Sequence, residues 1–237
     1  GSEMCIRDRI PCSKAKCVKN EIHSWTDIMH DDRYSAFQEF THLRQEIVTF
    51  YSALTAERAQ RIYRGYRHWD PQRWTRAWRI NRDIPSSGAI RAILRYNGRL
   101  YRKLDERIRR MLADGVIDNV LIISALHGPT LPADYIPYYD LTMGDLWRNM
   151  KMLGEMWPAW IKEFSSDCLR RYLDRFDRAV LMLGDDYRPA AMALREISPE
   201  LEIIDFRGHG NAHGSFLNEK LLMLAETISD EWYRLNL

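Results

Sequence analysis

Val116-Ile117-Asp118-Asn119-Val120-Leu121-Ile122-Ile123-Ser124 is the stretch whose reading decides the fold. Its second half, Val120-Leu121-Ile122-Ile123, is apolar at every position, whereas a half-buried strand alternates; a short unbroken run of this kind is how a strand covered on both faces reads. It ends in small and polar residues from Ser124 onward. Ala179-Val180-Leu181-Met182-Leu183 before Gly184 repeats the pattern, and Leu201 to Phe206 forms a third strand. Helical spacing fills the intervals over Leu146 to Phe164, Asp167 to Arg175 and Pro189 to Ile197, and returns over Phe216 to Tyr233. Strands alternating with helices predict a mixed α/β fold, with a parallel or mixed central sheet wrapped by helices.

Upstream the pattern is more helical. Phe37, Phe40, Leu43, Ile47, Phe50, Tyr51 and Leu54 recur close to the helical period, which predicts an amphipathic helix over Arg33 to Leu54. Thr55 is an N-cap candidate, with Glu57 in the first turn of a second helix running to about Tyr66. After a loop at Pro85-Ser86-Ser87-Gly88, the spacing predicts one helix over Ala89 to Leu112, ended by Asp114-Gly115. Glu3 to Arg9 is oddly charged for a strand leading into Ile10-Pro11-Cys12.

The 237 residues suit a single domain over 1–237, with residues 55–112 as a basic, aromatic-rich helical subregion inside it. With 46% hydrophobic and 29% charged residues, 12 Gly and 9 Pro, collagen-like and wholly disordered chains are excluded. No apolar run approaches the roughly 18 to 20 residues of a membrane span, and a cytoplasmic location with no membrane partner is expected. Four cysteines, Cys5, Cys12, Cys17 and Cys168, are too few and too uneven for a disulfide framework, so free thiols are expected.

The net charge of +2 conceals an asymmetry. Arg58 to Arg110 holds 16 basic against 4 acidic residues, leaving 19 against 29 for the rest. Arginines recur every third residue at Arg61, Arg64 and Arg67 and at Arg73, Arg76, Arg79 and Arg82, interleaved with Tyr63, Tyr66, Trp69, Trp74 and Trp78. A guanidinium fork grips phosphate bidentately and aromatic rings stack on unpaired bases, so Arg61 to Arg82, Trp74 included, is the expected nucleic-acid-binding surface. The plain alternative is a solvated helix face with its aromatics turned into the core.

Loops that follow buried strands are where ligands bind in α/β sheets. Pro11-Cys12-Ser13-Lys14-Ala15-Lys16 is a small-residue turn with two lysines suited to a phosphate or carboxylate, without the glycines of a Walker loop. Ser124-Ala125-Leu126-His127-Gly128 leads into a proline-stiffened segment with Asp134, Tyr138, Tyr139 and Asp140, and Gly184-Asp185-Asp186-Tyr187 follows the next strand. Parallel strands bring these loops to one edge, so they should converge on one cavity, its wall lined by Tyr96, Asn97 and Tyr101. Ser124, His127 and Asp134 are the candidate catalytic residues; the G-x-S-x-G elbow is absent, which disfavours a hydrolase triad and makes turn capping the favoured role of Ser124. Arg207-Gly208-His209-Gly210-Asn211-Ala212-His213-Gly214 reads as a flexible loop or a ligand site, with Arg207 and His209 as pocket candidates. Cys12 and Cys17 lack zinc-site spacing, and neither metal nor cofactor is expected.

Ser124 to Gly128 with Leu131-Pro132-Ala133-Asp134-Tyr135-Ile136-Pro137-Tyr138 resembles a signature of the YaaA peroxide-stress family. Ala89-Ile90 with Tyr96-Asn97-Gly98-Arg99-Leu100-Tyr101-Arg102-Lys103-Leu104-Asp105 is similar to a second, at the expected distance upstream, and Pro11 to Lys16 is similar to the first strand-end turn of divergent members. His127 stands where the family has Tyr, Pro129-Thr130 where it has Leu-Leu or Leu-Arg, and Tyr139 where it has Arg. The resemblance implies an α/β protein with a helix-hairpin-helix-like element that binds DNA and protects against oxidative damage. Two readings follow. In the first, a YaaA-like protein binds duplex or single-stranded DNA. In the other, the Ser124, His127 and Asp134 loop of an enzyme acts on a nucleoside or a base in DNA, with His127 shuttling protons and a carboxylate stabilising positive charge on the sugar. A domain with an unrelated small ligand or protein partner is the third and plainest reading.

Overall fold

The computed structural model describes residues 6–11, 16–21, 24–63, 71–165, 167–206 and 210–235. Five strands form one sheet in the order β4-β3-β1-β6-β7: β1 is Ile6–Pro11, β3 Val120–Ser124, β4 Gly128–Thr130, β6 Arg178–Leu181 and β7 Glu202–Asp205. The strands β3, β1, β6 and β7 run parallel, while β4 folds back antiparallel on β3, pairing Ser124 with Gly128. A two-stranded ribbon joins β2, Ala89–Arg91, to β5, Tyr135–Pro137. All five residues of β3 are buried, as its uninterrupted apolar run requires. Helix and strand are mixed as the sequence predicts.

The charged Ile6 to Pro11 stretch supplies the middle strand. Arg9 pairs with Leu121 on one side and Leu181 on the other, so both backbone edges of β1 are taken up by neighbours. Ladder hydrogen bonds come from the main chain and do not depend on the side chains a strand carries.

Several helices are shorter than periodicity alone predicts. The first, α1, spans Thr41–Ser52, after a 3₁₀ turn entered through Phe37 at φ 55°. Helix α2, Ala56–Ile62, begins at the expected N-cap, where Thr55 accepts from the Arg58 N–H, and α3 covers Pro71–Arg82. The single helix expected over Ala89 to Leu112 is broken into β2, a four-residue α4 at Ala92–Arg95, a 3₁₀ turn at Tyr101–Lys103 and α5 at Glu106–Ala113. Pairing with β5 draws Ala89–Arg91 into extended form, the Asn97-Gly98 turn separates the pieces, and Asp105 caps α5 by accepting the Arg107 N–H at 2.8 Å. Further on lie α6 at Leu153–Phe164, α7 at Asp167–Leu173, α8 at Arg188–Ile197 and α9 at Gly210–Leu235. Helix α9 starts inside the glycine–histidine segment, whose His213 is buried and bonds the Phe206 carbonyl through Nε2, so residues 210–214 are helix and not loop.

One hydrophobic cluster runs from Trp25 and α1 through β3 to α6, α8 and α9. Gly128 packs against it at φ +65°, where an added Cβ would stand 2.2 Å from the ring of Trp157. Both the backbone conformation and the space demand glycine there. Gly128→Ala should lower unfolding stability by roughly 3 kcal/mol or more, read from denaturant melts. A change below about 1 kcal/mol would show that Trp157 yields readily.

Candidate functional site

The loop that leaves β3 is buried, so its main-chain groups need partners inside the protein. Ser124 Oγ accepts the His127 N–H at 3.0 Å, which is the turn-capping role expected for it. The same oxygen lies 2.8 Å from the Tyr139 hydroxyl, which lies 2.7 Å from the Tyr96 hydroxyl. From α1, buried Arg44 donates from Nε to the His127 carbonyl at 3.1 Å and from Nη2 to the Pro129 carbonyl at 3.2 Å. Trp157 Nε1 donates to the Ala125 carbonyl at 2.9 Å. Side chains from three distant parts of the chain thus hold one turn, and Arg44, though its pKa is lowered by burial to about 10, remains charged at neutral pH.

Two of the candidate catalytic residues are enclosed by the fold. Asp134 is buried; one carboxylate oxygen accepts the Ala36 N–H at 2.9 Å and the other the Leu131 N–H at 2.8 Å. It is the clasp between the chain before α1 and the loop before β5. His127 is 2% exposed, set edge-on to Trp25, with Nε2 making no hydrogen bond among the described residues. Burial first, and nearby Arg44 second, hold its pKa well below the ordinary histidine range, so the ring is neutral. Ser124, His127 and Asp134 are all buried, and Ser124 and Asp134 hold backbone in place.

The remaining pocket candidates divide. Tyr96 and Tyr101 are buried with rings 5.3 Å apart, but Asn97 is exposed, because residues 97–100 form a turn in place of the one unbroken helix expected. Tyr138 is half-buried with the Arg95 guanidinium 5.8 Å from its ring centre. Asp140 is buried beside α3. Gly184 has open space where a Cβ would point, Asp186 is exposed, and Tyr187 is the N-cap position of α8, its N–H donating to the Gly184 carbonyl at 3.0 Å. Because β1, β3 and β6 are parallel, the loops following them leave the same edge of the sheet. Cys12, Ser13, Lys14, Arg64, Arg67, Arg207 and His209 lie outside the described residues.

Sequence reasoning missed Arg44, Arg95, Asp145 and Asn81. No local signal marks such residues, since each acts on backbone or side chains far along the chain; Asn97-Gly98, by contrast, is a readable turn signal inside the overlong helix.

The basic helix α3 separates its arginines. Four arginines spaced by three drift about 60° per step on a helix of 3.6 residues per turn, which turns Arg73 to the side opposite Arg82. Arg73, Ala77 and Asn81 are buried, while Gln72, Arg76, Arg79 and Arg82 are exposed. Arg73 donates from Nη1 and Nη2 to the two oxygens of Asp145 at 2.8 and 2.7 Å. Burial opposes its charge, but the Asp145 bonds more than reverse that and hold its pKa above the ordinary arginine range. Arg73 is thereby corrected from a phosphate-gripping residue to an interior anchor. Asn81 brackets Asp140 by donating to its carbonyl and accepting its N–H, both at 2.8 Å. Arg76 reaches the Asp140 carboxylate at 3.0 Å. Trp74 and Trp78 are half-buried against the core, and Trp78 Nε1 donates to the Leu54 carbonyl at 2.7 Å. Arg61, on α2, is exposed and bonds Glu57 one turn earlier at 2.7 Å.

The buried clasp has a pH signature. Burial pushes the Asp134 carboxyl up to about 6, against the Ala36 and Leu131 N–H bonds and Arg44, which pull it down. A carboxyl raised in the fold favours folding fully below its unfolded value near 4, and that contribution is lost as pH rises through 6. Between pH 6 and 4 wild type should gain roughly 2 kcal/mol relative to Asp134→Asn in chemical denaturation, with the difference constant above pH 7. Parallel pH profiles would refute the shifted carboxyl.

No curated protein matches the chain. The family model of the peroxide stress protein YaaA does match, over residues 9–190, a span that runs from β1 into α8 and takes in the clamped β3 loop, Asp134 and the whole of α3. Covering well over half of the sequence, that match shows that the chain belongs to the YaaA peroxide-stress family.

Proposed function

We propose that the chain binds nucleic acid through the outward face of α3, gripping phosphates with Arg76, Arg79 and Arg82, and that this serves DNA protection under oxidative stress. One observation carries the reading. The inward residues of α3 are fixed by Asp145 and Asp140, so the three other arginines of the helix stand together on its exposed side. Gln72, Thr75, Arg76, Arg79 and Ile80 line an open depression of about 570 Å³ there. Arginine clusters of this kind bind phosphate whatever the base sequence.

Trp74 and Trp78 favour one of the two forms of DNA. A single-strand binder needs exposed rings on which bases stack, but Trp74 and Trp78 pack against the core. The exposed face of α3 therefore favours a duplex held by its backbone. Helices α2 and α3, joined through residues 64–70, are the pair that would make the helix-hairpin-helix-like element. The enzyme alternative gains no support, because Ser124 and Asp134 hold backbone and His127 is buried and neutral.

Fluorescence anisotropy against a labelled duplex over a range of salt tests the proposal. Arg76, Arg79 and Arg82 changed together to Gln should weaken binding and flatten the log–log salt slope by about 0.9 for each phosphate that is no longer neutralised. Equal slopes for variant and wild type would remove α3 from the interface. Arg73→Gln should instead destabilise the fold by roughly 3–5 kcal/mol, since it leaves Asp145 charged, buried and without its guanidinium.

A further inference from the structure

Away from α3, a second cationic group lies beside the β3 loop. The Lys16 amine is buried, 4.2 Å from the ring centre of Tyr139 and 5.8 Å from that of Tyr96. Its position is fixed on the main chain, where residue 16 bridges residue 96 and the Cys17 N–H donates to the Arg95 carbonyl at 2.7 Å. Arg95 is fully buried, and its guanidinium donates to the carbonyls of Cys17, Lys19, Gly88 and Ile136 and to Asn20 Oδ1. All five acceptors are neutral. The ionisable neighbours that act most strongly on it are Cys17, Tyr96, Tyr138 and Tyr139, and burial lowers its pKa to about 10, still charged at neutral pH. A buried cation whose acceptors are all neutral dipoles leaves a positive field on the groups beside it, here two phenols that an ammonium also faces.

The hydroxyls of Ser124, Tyr139 and Tyr96 are linked in that order beside these cations. Ser124 ends β3, and Lys16 follows β1, the strand at which the order reverses: its neighbours are β3 on one side and β6 on the other. The carboxyl edge of a parallel sheet at such a reversal is where ligands bind. We infer that Lys16, Ser124, Tyr96 and Tyr139, backed by Arg95, form a site for a tetrahedral oxyanion, the phosphate group of a small molecule. An ammonium and hydroxyls from separate segments suit the several oxygens of phosphate better than the two of a carboxylate, and the Arg95 fork, already filled by carbonyls, supplies field without touching the ligand. The site shares no residue with the α3 face and stands or falls separately from duplex binding.

Isothermal calorimetry of the full chain with inorganic phosphate, at constant ionic strength and against matched acetate, tests the assignment. Wild type should show saturable binding to phosphate and none to acetate. Lys16→Gln should bind at least about tenfold more weakly, as loss of a charge-assisted hydrogen bond implies. Tyr139→Phe, which keeps the ring under the amine and removes only the hydroxyl, should bind several-fold more weakly even if Lys16→Gln fails to fold. The triple Gln variant of α3 should bind phosphate as wild type does. Ribose 5-phosphate or adenosine monophosphate binding more tightly than free phosphate would identify what carries the group. No saturable heat with phosphate, equal affinity in wild type and Tyr139→Phe, equal binding of acetate, or loss of phosphate binding in the α3 variant would each overturn the proposal.

Discussion

The two parallel hydrogen bonds between Arg73 and Asp145 set the rotation of α3 about its own axis. Desolvating both charges is costly, and the bidentate geometry, with the Thr142 N–H as a further donor to Asp145 at 2.8 Å, is what makes the pair tolerable in the interior. Once Arg73 is seated, helical geometry leaves the exposed side to Arg76, Arg79 and Arg82. The anchor also locates Asp140, which Asn81 brackets and Arg76 approaches, and so the Tyr139 that precedes it. An exposed arginine face and a buried hydroxyl network are thus held in place by one interior ion pair.

Arginine serves three physical roles within one chain. Arg73 neutralises a carboxylate. Arg44 and Arg95 hold main-chain carbonyls in place around the turn after β3 and in the segment after β1. The exposed arginines of α3 present charge to solvent. The guanidinium serves all three because it offers five donors in a plane and remains charged even when burial lowers its pKa to about 10. Regional charge counts register the total and cannot separate the roles, since burial and partner decide them.

The buried strand runs at Val120–Ser124 and near Ala179–Leu183, the α/β class, the cap at Thr55, the turn-capping role of Ser124 and the family motifs were all legible along the chain, because each rests on local periodicity or local hydrogen bonding. The charged β1 was not, since its place between β3 and β6 comes from backbone pairing with strands more than a hundred residues away. The unbroken helix read over Ala89 to Leu112 failed for a related reason: the antiparallel partner of Ala89–Arg91 is Tyr135–Pro137, and a long-range ladder overrode a local helical pattern.

The sequence by itself determined that arginine and aromatic residues concentrate between residues 58 and 110, and that a polar, proline-stiffened loop follows a buried strand. Only the tertiary structure decided that Arg73 is interior while Arg76, Arg79 and Arg82 are exposed, that Trp74 and Trp78 pack against the core, that Asp134 clasps two backbone segments and that His127 is neutral. The physical reason is that a side chain's charge and exposure depend on what lies against it. For Arg73 that partner is Asp145, and for Asp134 the Ala36 N–H, each supplied from a distant part of the chain that no window along the sequence contains.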